Sequence, residues 1–308
     1  MYRKGIEPVV SVVMSLYQEP IEWMKLAIDS ILNQTFRDFE LILINDQPNR
    51  LDNRQLLEEY FKIDNRIVTV HNDENIGLTK SLNKGLEIAR GHYIARMDAD
   101  DIAKENRLEL QFKFLQENSK YICCGSFVNI IDANNNFVKP LKLPETHQEI
   151  QDELVVETPM IHPTLFFRNI HQIKYNESIR FAQDYDLIYR LSLKGQLYNL
   201  ETPLLEYRRS SVQISNAKLS EQTKYANDIR ERIIIDYLHK YYGVSCVNIP
   251  SYPFLQNLPK GRLKNKILFS FLIHNNFRKN HIRLLTEAIR VDKFSMKESA
   301  RLLLKVVK

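Results

Sequence analysis

Short apolar runs alternate with amphipathic stretches through the first hundred residues. Residues 9–14 and 39–44 are nearly continuous apolar runs rich in β-branched side chains, a pattern typical of parallel strands covered on both faces. Shorter apolar runs follow at residues 67–70 and 93–97, and helical spacing separates the runs. This alternation predicts a doubly wound α/β domain with right-handed crossovers.

The hydrophobic pattern also predicts where the helices and the later strands lie. Helices are expected over residues 20–33, 53–61, 75–90, 106–116, 147–156 and 183–194. The pattern then changes: a strand over residues 121–131, a turn over 132–136 and a strand over 137–138 predict an added antiparallel element. Short strands are also expected at 164–168 and 204–208. From residue 217 onward the pattern is wholly helical.

Polar side chains follow three of the predicted strands at the point where each strand ends. They are Ser15, Tyr17 and Glu19 after the first strand, Asp46 after the second, and Asp98, Asp100 and Asp101 after the fourth. Open α/β sheets bind ligands at this carboxyl edge. Three neighbouring carboxylates repel one another, and Mg²⁺ or Mn²⁺, which bind carboxylates together with phosphates, would relieve that repulsion. For the Asp-x-Asp pattern taken alone, a solvated acidic turn that caps the next helix fits as well.

The sequence lacks the motifs of several common classes of binding site. No Gly-x-Gly-x-x-Gly follows the first strand, and no P-loop pattern occurs, which argues against NAD(P), FAD and P-loop nucleotide binding. The 3 cysteines form neither a disulfide framework nor a zinc pattern. No apolar run approaches the roughly 20 residues that span a bilayer, and residues 1–8 lack the apolar core of a signal peptide. We therefore expect a cytoplasmic protein.

Composition is ordinary, but charge is unevenly distributed. Hydrophobic residues make up 44% of the chain and charged residues 26%, and the net charge is +5. Residues 251–308 carry 13 Lys and Arg against 3 Asp and Glu, and residues 260–279 carry six basic and no acidic residues around a short apolar run. A helix on the anionic inner face of the plasma membrane fits this tail, and so does a helix packed on the protein or on a partner. No nucleic-acid-reading motif accompanies the charge, so nucleic acid is not an expected partner.

Seven segments, in order, resemble family 2 glycosyltransferases. They are residues 10–17, 44–46, 75–85, 93–101, 162–164, 183–187 and 207–215. The resemblance implies the GT-A fold, an α/β fold with a mainly parallel Rossmann-like sheet, and a helical C-terminal appendage. It implies a catalytic domain over residues 1–215, with nucleotide-sugar binding over 1–101 and the acceptor side over 102–215, followed by a basic helical region over 216–308.

The resemblance also implies roles for individual residues. Asp46 is expected to bind the nucleotide base, with a strand-end turn residue as the alternative. Asp100 is expected to bind the Mn²⁺ or Mg²⁺ ion, and Asp98 to assist by contacting the ribose or the water shell of the metal. Asp184 is expected to act as the base that deprotonates the acceptor, with a helix cap as the alternative. The remaining nucleotide-sugar residues are Ser15, Tyr17, Glu19, Gly77, Lys80 and Ala99, and the acceptor-side residues are His162 and Gln183. An exposed helix lysine is the alternative for Lys80, and a strand-start histidine bonded to backbone is the alternative for His162. Asp101 is expected to cap the following helix, and Asp186 to be structural.

Two residues depart from the family pattern. Gln183 stands where the family usually has an acidic residue, and Ser210 stands where many members have a histidine that helps to hold the metal and the diphosphate. The missing charge at Gln183 predicts a less basic Asp184. Ser210 predicts a different metal affinity or diphosphate placement and weak or absent activity. A catalytically degenerate sugar-nucleotide-binding subunit of a polysaccharide assembly complex therefore remains an alternative.

The expected function is an inverting, metal-dependent glycosyltransferase. It would move a sugar from a nucleotide-diphospho-sugar, expected to be a UDP-sugar, to a glycan or lipid-linked acceptor in surface polysaccharide biosynthesis. A sugar-nucleotide pyrophosphorylase is less favoured, because it would show a glycine-rich segment after the first strand.

Overall fold

The computed structural model describes residues 7–170, 173–209, 219–259 and 261–274. These residues fall into two compact units, and each is described by itself. The first unit lies within residues 1–150 and 159–222, and the second within residues 151–158 and 223–308. The predicted boundary between residues 215 and 216 lies outside the described residues, so it stays a prediction.

A mixed sheet of nine strands forms the centre of the first unit in the described chain. Its strands are β1 Val10–Leu16, β2 Phe39–Asn45, β3 Ile67–His71, β4 Tyr93–Asp98, β5 Ile102–Ala103, β6 Tyr121–Ile131, β7 Phe137–Leu141, β8 Phe166–Arg168 and β9 Gln196–Arg208. The strand order is β3-β2-β1-β4-β8-β6-β9-β5, and β7 pairs with β6 at the side. The four strands from β3 to β4 are parallel, whereas β8 is antiparallel to both β4 and β6. The predicted α/β fold class is confirmed, including the antiparallel element after residue 120.

The parallel strands end at one edge of the sheet. In the register of β1, Ser15 lies beside Ile44 of β2 on one side and beside Asp98 of β4 on the other. Asp46 directly follows β2, and its backbone N–H donates to the carbonyl of Leu16 (2.9 Å). The strand ends that carry the predicted polar residues are therefore neighbours.

Helices cover both faces of the parallel strands. Those of the first unit are α1 Ile21–Leu32, α2 Leu51–Ile63, α3 Leu78–Ile88, α4 Arg107–Glu117 and α6 Gln183–Ser192, while α5 His147–Leu154 begins in this unit. One face of β1 belongs to the core formed with α1, α2 and α4. On the other face, α3 approaches so closely that a Cβ on Gly85 would lie 2.5 Å from Cγ1 of Val13. Only glycine fits this contact without a shift.

Two elements differ from the sequence prediction. The strand expected at residues 204–208 is the end of β9, which begins at Gln196. Thr202 and Pro203 interrupt its apolar pattern, and the pairing with β6 shifts register between Ser126 and Val128 at that point. The strand expected from residue 164 begins two residues later, because residues His162–Thr164 form a 3₁₀ turn.

Among the described residues, the helices of the second unit are α7 Leu219–Tyr242, whose first turn belongs to the first unit, α8 Tyr252–Gln256 and α9 Arg262–His274. Arg262 and Lys266 of α9 form ion pairs with Asp152 (2.8 Å) and Glu153 (2.7 Å). The apolar residues Ile267, Leu268 and Phe269 are fully buried. This part of the basic tail therefore packs within its own unit. Residues 275–308 lie outside the described residues.

Within the described ranges, none of the helices has the length and apolar character needed to cross a membrane.

Candidate functional site

Three carboxylates gather where β4 ends, and we call Asp98, Asp100 and Asp101 the acidic cluster. One oxygen of each residue lies within 4.8 Å of the others. Asp98 and Asp100 are partly exposed, whereas Asp101 is fully buried. Oδ1 of Asp101 accepts a hydrogen bond from the backbone N–H of Arg208 (2.8 Å), and its Oδ2 has no hydrogen-bond partner among the described residues. The cluster thus contains a buried carboxylate oxygen whose bonding is incomplete.

The donor set of the acidic cluster fits a hard divalent cation. Burial and then the charges of Asp100 and Asp98 raise the pKa of Asp101 well above its ordinary value. A cation held by these oxygens would offset both effects, and carboxylate oxygens are the ligands that Mg²⁺ and Mn²⁺ prefer. The prediction that Asp101 caps α4 is wrong, because its hydrogen bond comes from β9.

Arg96 places a positive charge directly beside the cluster, and the sequence reasoning missed this residue. Its Nη2 forms an ion pair with Oδ1 of Asp98. The Arg96 side chain is 3% exposed and the Asp98 side chain 30% exposed, so the guanidinium lies beneath the carboxylate. An arginine inside an otherwise apolar strand was the available signal, since buried charges are retained only with partners.

Glu19 belongs to the same electrostatic environment. Its Oε2 accepts a hydrogen bond from the backbone N–H of Tyr17 (2.8 Å), which fixes the turn after β1. Burial, with a smaller contribution from the charges of Asp100 and Asp98, raises the pKa of Glu19 to about 7. Glu19 therefore lies within the electrostatic influence of the acidic cluster, while its predicted contact with the nucleotide stays a prediction.

Asp46 is buried and holds the segment that leads into α3. Oδ1 accepts hydrogen bonds from Nδ2 of Asn72 (2.8 Å) and the backbone N–H of Ile76 (2.9 Å), and Oδ2 accepts one from the N–H of Gly77 (2.9 Å). A carboxylate has about four acceptor sites, so about one remains for a ligand. The predicted contact with the base is compatible with this geometry and is untested.

The remaining predicted nucleotide-sugar residues lie around these strand ends. Ser15 is partly exposed beside Asp98, Ala99 is buried inside the acidic turn, and Gly77 precedes α3. Lys80 is exposed in the first turn of α3. Their contacts with a ligand are predictions.

Asp184 lies in the first turn of α6 within reach of the same charges. Burial raises the pKa of its carboxyl group, and the charge of Asp98 raises it further. Hydrogen bonds from the backbone N–H groups of Asp184 and Tyr185 lower the pKa, as does the charge of Arg96. Asp186 is different, because it is fully buried and its Oδ2 accepts a hydrogen bond from Nε of Arg190 (2.7 Å). Asp184 is thus the carboxylate of α6 that is coupled to the acidic cluster.

His162 and Gln183 lie on the side of Asp184. Nε2 of His162 and Oη of Tyr175 are hydrogen-bonded at 2.7 Å, and burial followed by the charge of Arg96 lowers the pKa of His162 well below its ordinary value, so the ring is neutral. Oε1 of Gln183 is buried without a hydrogen-bond partner in the described part of the chain. Tyr175 is a second residue that sequence reasoning missed, because it lies outside the seven segments that resemble the family.

Arg208 fixes the acidic turn from β9. Its Nε donates to the carbonyl of Asp100 (2.7 Å) and its Nη1 to the carbonyl of Asp132 (2.9 Å), while the guanidinium lies 4.5 Å from the ring centroid of Trp23. One side chain therefore joins the acidic turn, the β6–β7 hairpin and α1. The neighbouring Ser210 lies outside the described residues.

Comparisons with known proteins agree on one family. The model of glycosyl transferase family 2 matches residues 11–174. An uncharacterized glycosyltransferase of Methanocaldococcus jannaschii is 37% identical over 71% of this chain and 77% of its own length. The O-antigen biosynthesis glycosyltransferase WbnJ of Escherichia coli is 32% identical over 76% of this chain and 94% of its own length.

Among solved structures, residues 1–349 of S. aureus TarS superpose with a TM-score of 0.55 at 17% identity, covering 97% of this chain and 90% of that one. This likeness shows the same fold. The family model and the named relatives together confirm the resemblance on which the sequence interpretation depended. The chain belongs to glycosyl transferase family 2 and is a glycosyltransferase.

Proposed function

We propose that the protein is an inverting, metal-dependent transferase that moves a sugar from a UDP-sugar to a glycan or lipid-linked acceptor in surface polysaccharide biosynthesis. The observation that carries the proposal is the acidic cluster, in which oxygens of Asp98, Asp100 and Asp101 lie within 4.8 Å of one another. The charges of Asp98 and Arg96 both influence the pKa of Asp184. TarS has been crystallised with UDP and with UDP-GlcNAc, and WbnJ acts in O-antigen biosynthesis, which supports the donor and the pathway class.

In the proposed reaction the two ends of the site do different work. Asp100 and Asp98 would hold Mn²⁺ or Mg²⁺, which balances the charge that gathers on a departing diphosphate. Asp184 would accept the proton of the acceptor hydroxyl as that oxygen attacks the anomeric carbon. Its raised pKa suits a base, because proton transfer is most effective when the pKa of the base lies near the operating pH.

Ser15, Tyr17, Glu19, Asp46, Gly77, Lys80 and Ala99 would form the nucleotide-sugar pocket, and His162 and Gln183 the acceptor side. The acceptor is proposed to be presented at the inner face of the plasma membrane to a protein that is otherwise cytoplasmic. The basic residues after position 274 are the proposed contact with that surface, since α9 pairs its Arg262 and Lys266 within the protein.

The test is a thermal-shift panel of UDP and UDP-sugars with Mn²⁺, Mg²⁺ or EDTA, because a ligand that binds the folded state raises its apparent stability. We expect metal-dependent stabilisation of the wild type and none of Asp100→Asn, which loses a charged oxygen ligand. Asp52→Asn, a change at an exposed carboxylate in α2, is the matched control and should behave like the wild type. Equal stabilisation of wild type and Asp100→Asn would reject the metal assignment.

A further inference from the structure

We propose that Arg96 binds the sugar of the donor through Nε and Nη1, the two guanidinium nitrogens that have no hydrogen-bond partner among the described residues. The inference rests on the proposed function, because a donor sugar must lie between its diphosphate at the acidic cluster and the base that activates the acceptor. It names a residue that determines which sugar is accepted.

The position of Arg96 follows from strand geometry. Arg96 and Asp98 are two residues apart on β4, so their side chains leave the same face of the sheet. Nη2 pairs with Asp98, whereas Nε and Nη1 are buried with no hydrogen-bond partner among the described residues. Burying a charged group with unmet donors is costly, and ligand oxygens that accept from those donors would remove the cost.

The groups around Arg96 are suited to hydroxyl-rich ligands. The positive charge of Arg96 lowers the pKa values of Asp184, His162 and Tyr175, so these three side chains share its electrostatic environment. Guanidinium nitrogens only donate hydrogen bonds and carboxylates only accept them. A sugar hydroxyl does both, so it can bridge Arg96 and a carboxylate.

The exposed side of the pair is Asp98. Its side chain is ten times more exposed than that of Arg96, at 30% against 3%. A ligand that approaches from solvent therefore meets Asp98 before it meets the guanidinium. The sugar would therefore reach Arg96 from the side of the diphosphate site.

The local charge indicates the class of sugar. Arg96 contributes one positive charge, and Asp98 and Asp184 contribute two negative charges when ionised. A uronate would add a further negative charge, whereas a hexose or N-acetylhexosamine adds none. We therefore expect neutral sugars to be preferred.

The experiment measures what the sugar adds to binding of the nucleotide. Calorimetry in Mn²⁺ would compare UDP with UDP-glucose, UDP-galactose, UDP-N-acetylglucosamine and UDP-glucuronate. The sugar increment is the Kd of UDP divided by the Kd of the tightest neutral UDP-sugar. Arg96→Lys keeps a cation for Asp98 but loses the planar guanidinium donors. The Kd of this variant for UDP should lie within about threefold of the wild-type value. Its sugar increment should fall about 10- to 100-fold, as expected for the loss of hydrogen bonds to a charged group.

Arg90→Lys is the matched control. Arg90 also pairs with a buried carboxylate, with Nη2 at 2.7 Å from Oε2 of Glu40, but at the amino ends of the strands. The same substitution there should leave the increment unchanged. Melting temperatures of both variants report whether each one folds.

Each result decides between the two proposals. If wild type binds none of these nucleotides, the proposed function is overturned, and this inference with it. The inference is overturned, and the proposed function stands, if wild type binds UDP but shows no sugar increment. The same holds if the increment survives in Arg96→Lys, or if that substitution weakens binding of UDP and of UDP-sugars equally. If Arg96→Lys does not fold, tighter binding of neutral sugars than of UDP-glucuronate to wild type supports the inference, and the reverse order overturns it.

Discussion

Asp184 stands at the start of α6, where backbone N–H groups favour a negative charge while burial disfavours it. In the proposed reaction this residue takes the proton from the acceptor. Asp184→Asn should therefore lower kcat by about 10²–10⁴-fold, the usual contribution of a positioned base. Donor affinity, measured by calorimetry, should remain near that of wild type.

Asp186→Asn is the control for this prediction, since it alters a carboxylate of the same helix. Its ion pair with Arg190 would be lost, so the melting temperature should fall while transfer at low temperature persists. Near-normal turnover of Asp184→Asn would mean that another group acts as the base.

Glu19 gives the protein a stability that depends on pH. Its pKa is raised from 4.5 to about 7, so between those values the folded state binds more protons than the unfolded state. Stability is therefore lost as the pH rises from about 4.5 to 7. Glu19→Gln should remove this loss of stability. The free energy of unfolding at pH 8 should then rise by up to about 3 kcal/mol, an upper value because solvent screens a half-buried group. At pH 4 the free energy of unfolding should change little.

Chemical denaturation at a series of pH values in EDTA checks the prediction for Glu19. Glu22→Gln, in the exposed first turn of α1, should give a curve parallel to that of wild type. A pH-independent difference between Glu19→Gln and wild type would contradict the assignment.

At this scale, sequence reasoning found the residues that follow strand ends and missed those whose role depends on packing. Ser15, Asp46 and Asp98 are predictable because strand ends and parallel register are local properties. Arg96 and Tyr175 come together only when residues 79 positions apart are folded, and no local pattern encodes that. Asp101 was assigned wrongly for the same reason, since its partner is in β9.

At the scale of elements, the start of α3 shows how one side chain sets a helix boundary. The sequence predicted a helix from residue 75, but α3 begins at Leu78. The N–H groups of Ile76 and Gly77 are held by Asp46, and Gly77 has a φ of +83°. These bonds give the chain a sharp turn that a helix could not follow.

Gly77→Ala should therefore destabilise the protein through the backbone alone. A Cβ at this position meets no atom within 4 Å, but the backbone, with φ +83° and ψ 159°, lies in a region open essentially to glycine alone, and a residue with a Cβ is destabilised there by about 1–3 kcal/mol. The free energy of unfolding from urea titration should fall by about this amount. Gly261→Ala is the control, because that glycine has open space and no positive φ, and an equal loss in both variants would contradict the explanation.

The strands were predicted best where their apolar runs are unbroken. β6 matches its predicted bounds, residues 121–131, whereas the first half of β9 was missed because Glu201, Thr202 and Pro203 interrupt its pattern. The bulge opposite Ser126 and Val128 accommodates that interruption. Such a bulge depends on the neighbouring strand, which sequence periodicity does not reveal.

At the scale of the molecule, the family and fold were predictable because their motifs lie in order along the chain. For the basic tail, the sequence is equally compatible with binding to a membrane surface and with a helix packed on protein. Burial of Ile267, Leu268 and Phe269 favours packing for α9. The proposal of membrane contact is thereby restricted to residues 275–308, which carry nine Lys and Arg against three Asp and Glu.

Removal of residues 275–308 should reduce co-sedimentation with vesicles that contain anionic lipid, since each basic residue near such a surface contributes about 1 kcal/mol. The full chain should lose the same binding at high salt, and neutral vesicles should bind both forms weakly. Equal binding of both forms to anionic vesicles would favour a protein partner for this segment.

The hydrogen bond between Asp101 and Arg208 has a consequence for the order of folding. It joins residues 107 positions apart, whereas Asp46 and Asn72 are 26 apart. Closing the longer loop costs only about 1.2 kcal/mol more free energy than closing the shorter one. However, the Asp101–Arg208 contact cannot form until the chain has been synthesised through residue 208. The parallel strands β1 to β4 can pair on a ribosome long before that point. We therefore expect the nucleotide end of the site to form early and the acidic turn to remain unfixed until β9 has been added.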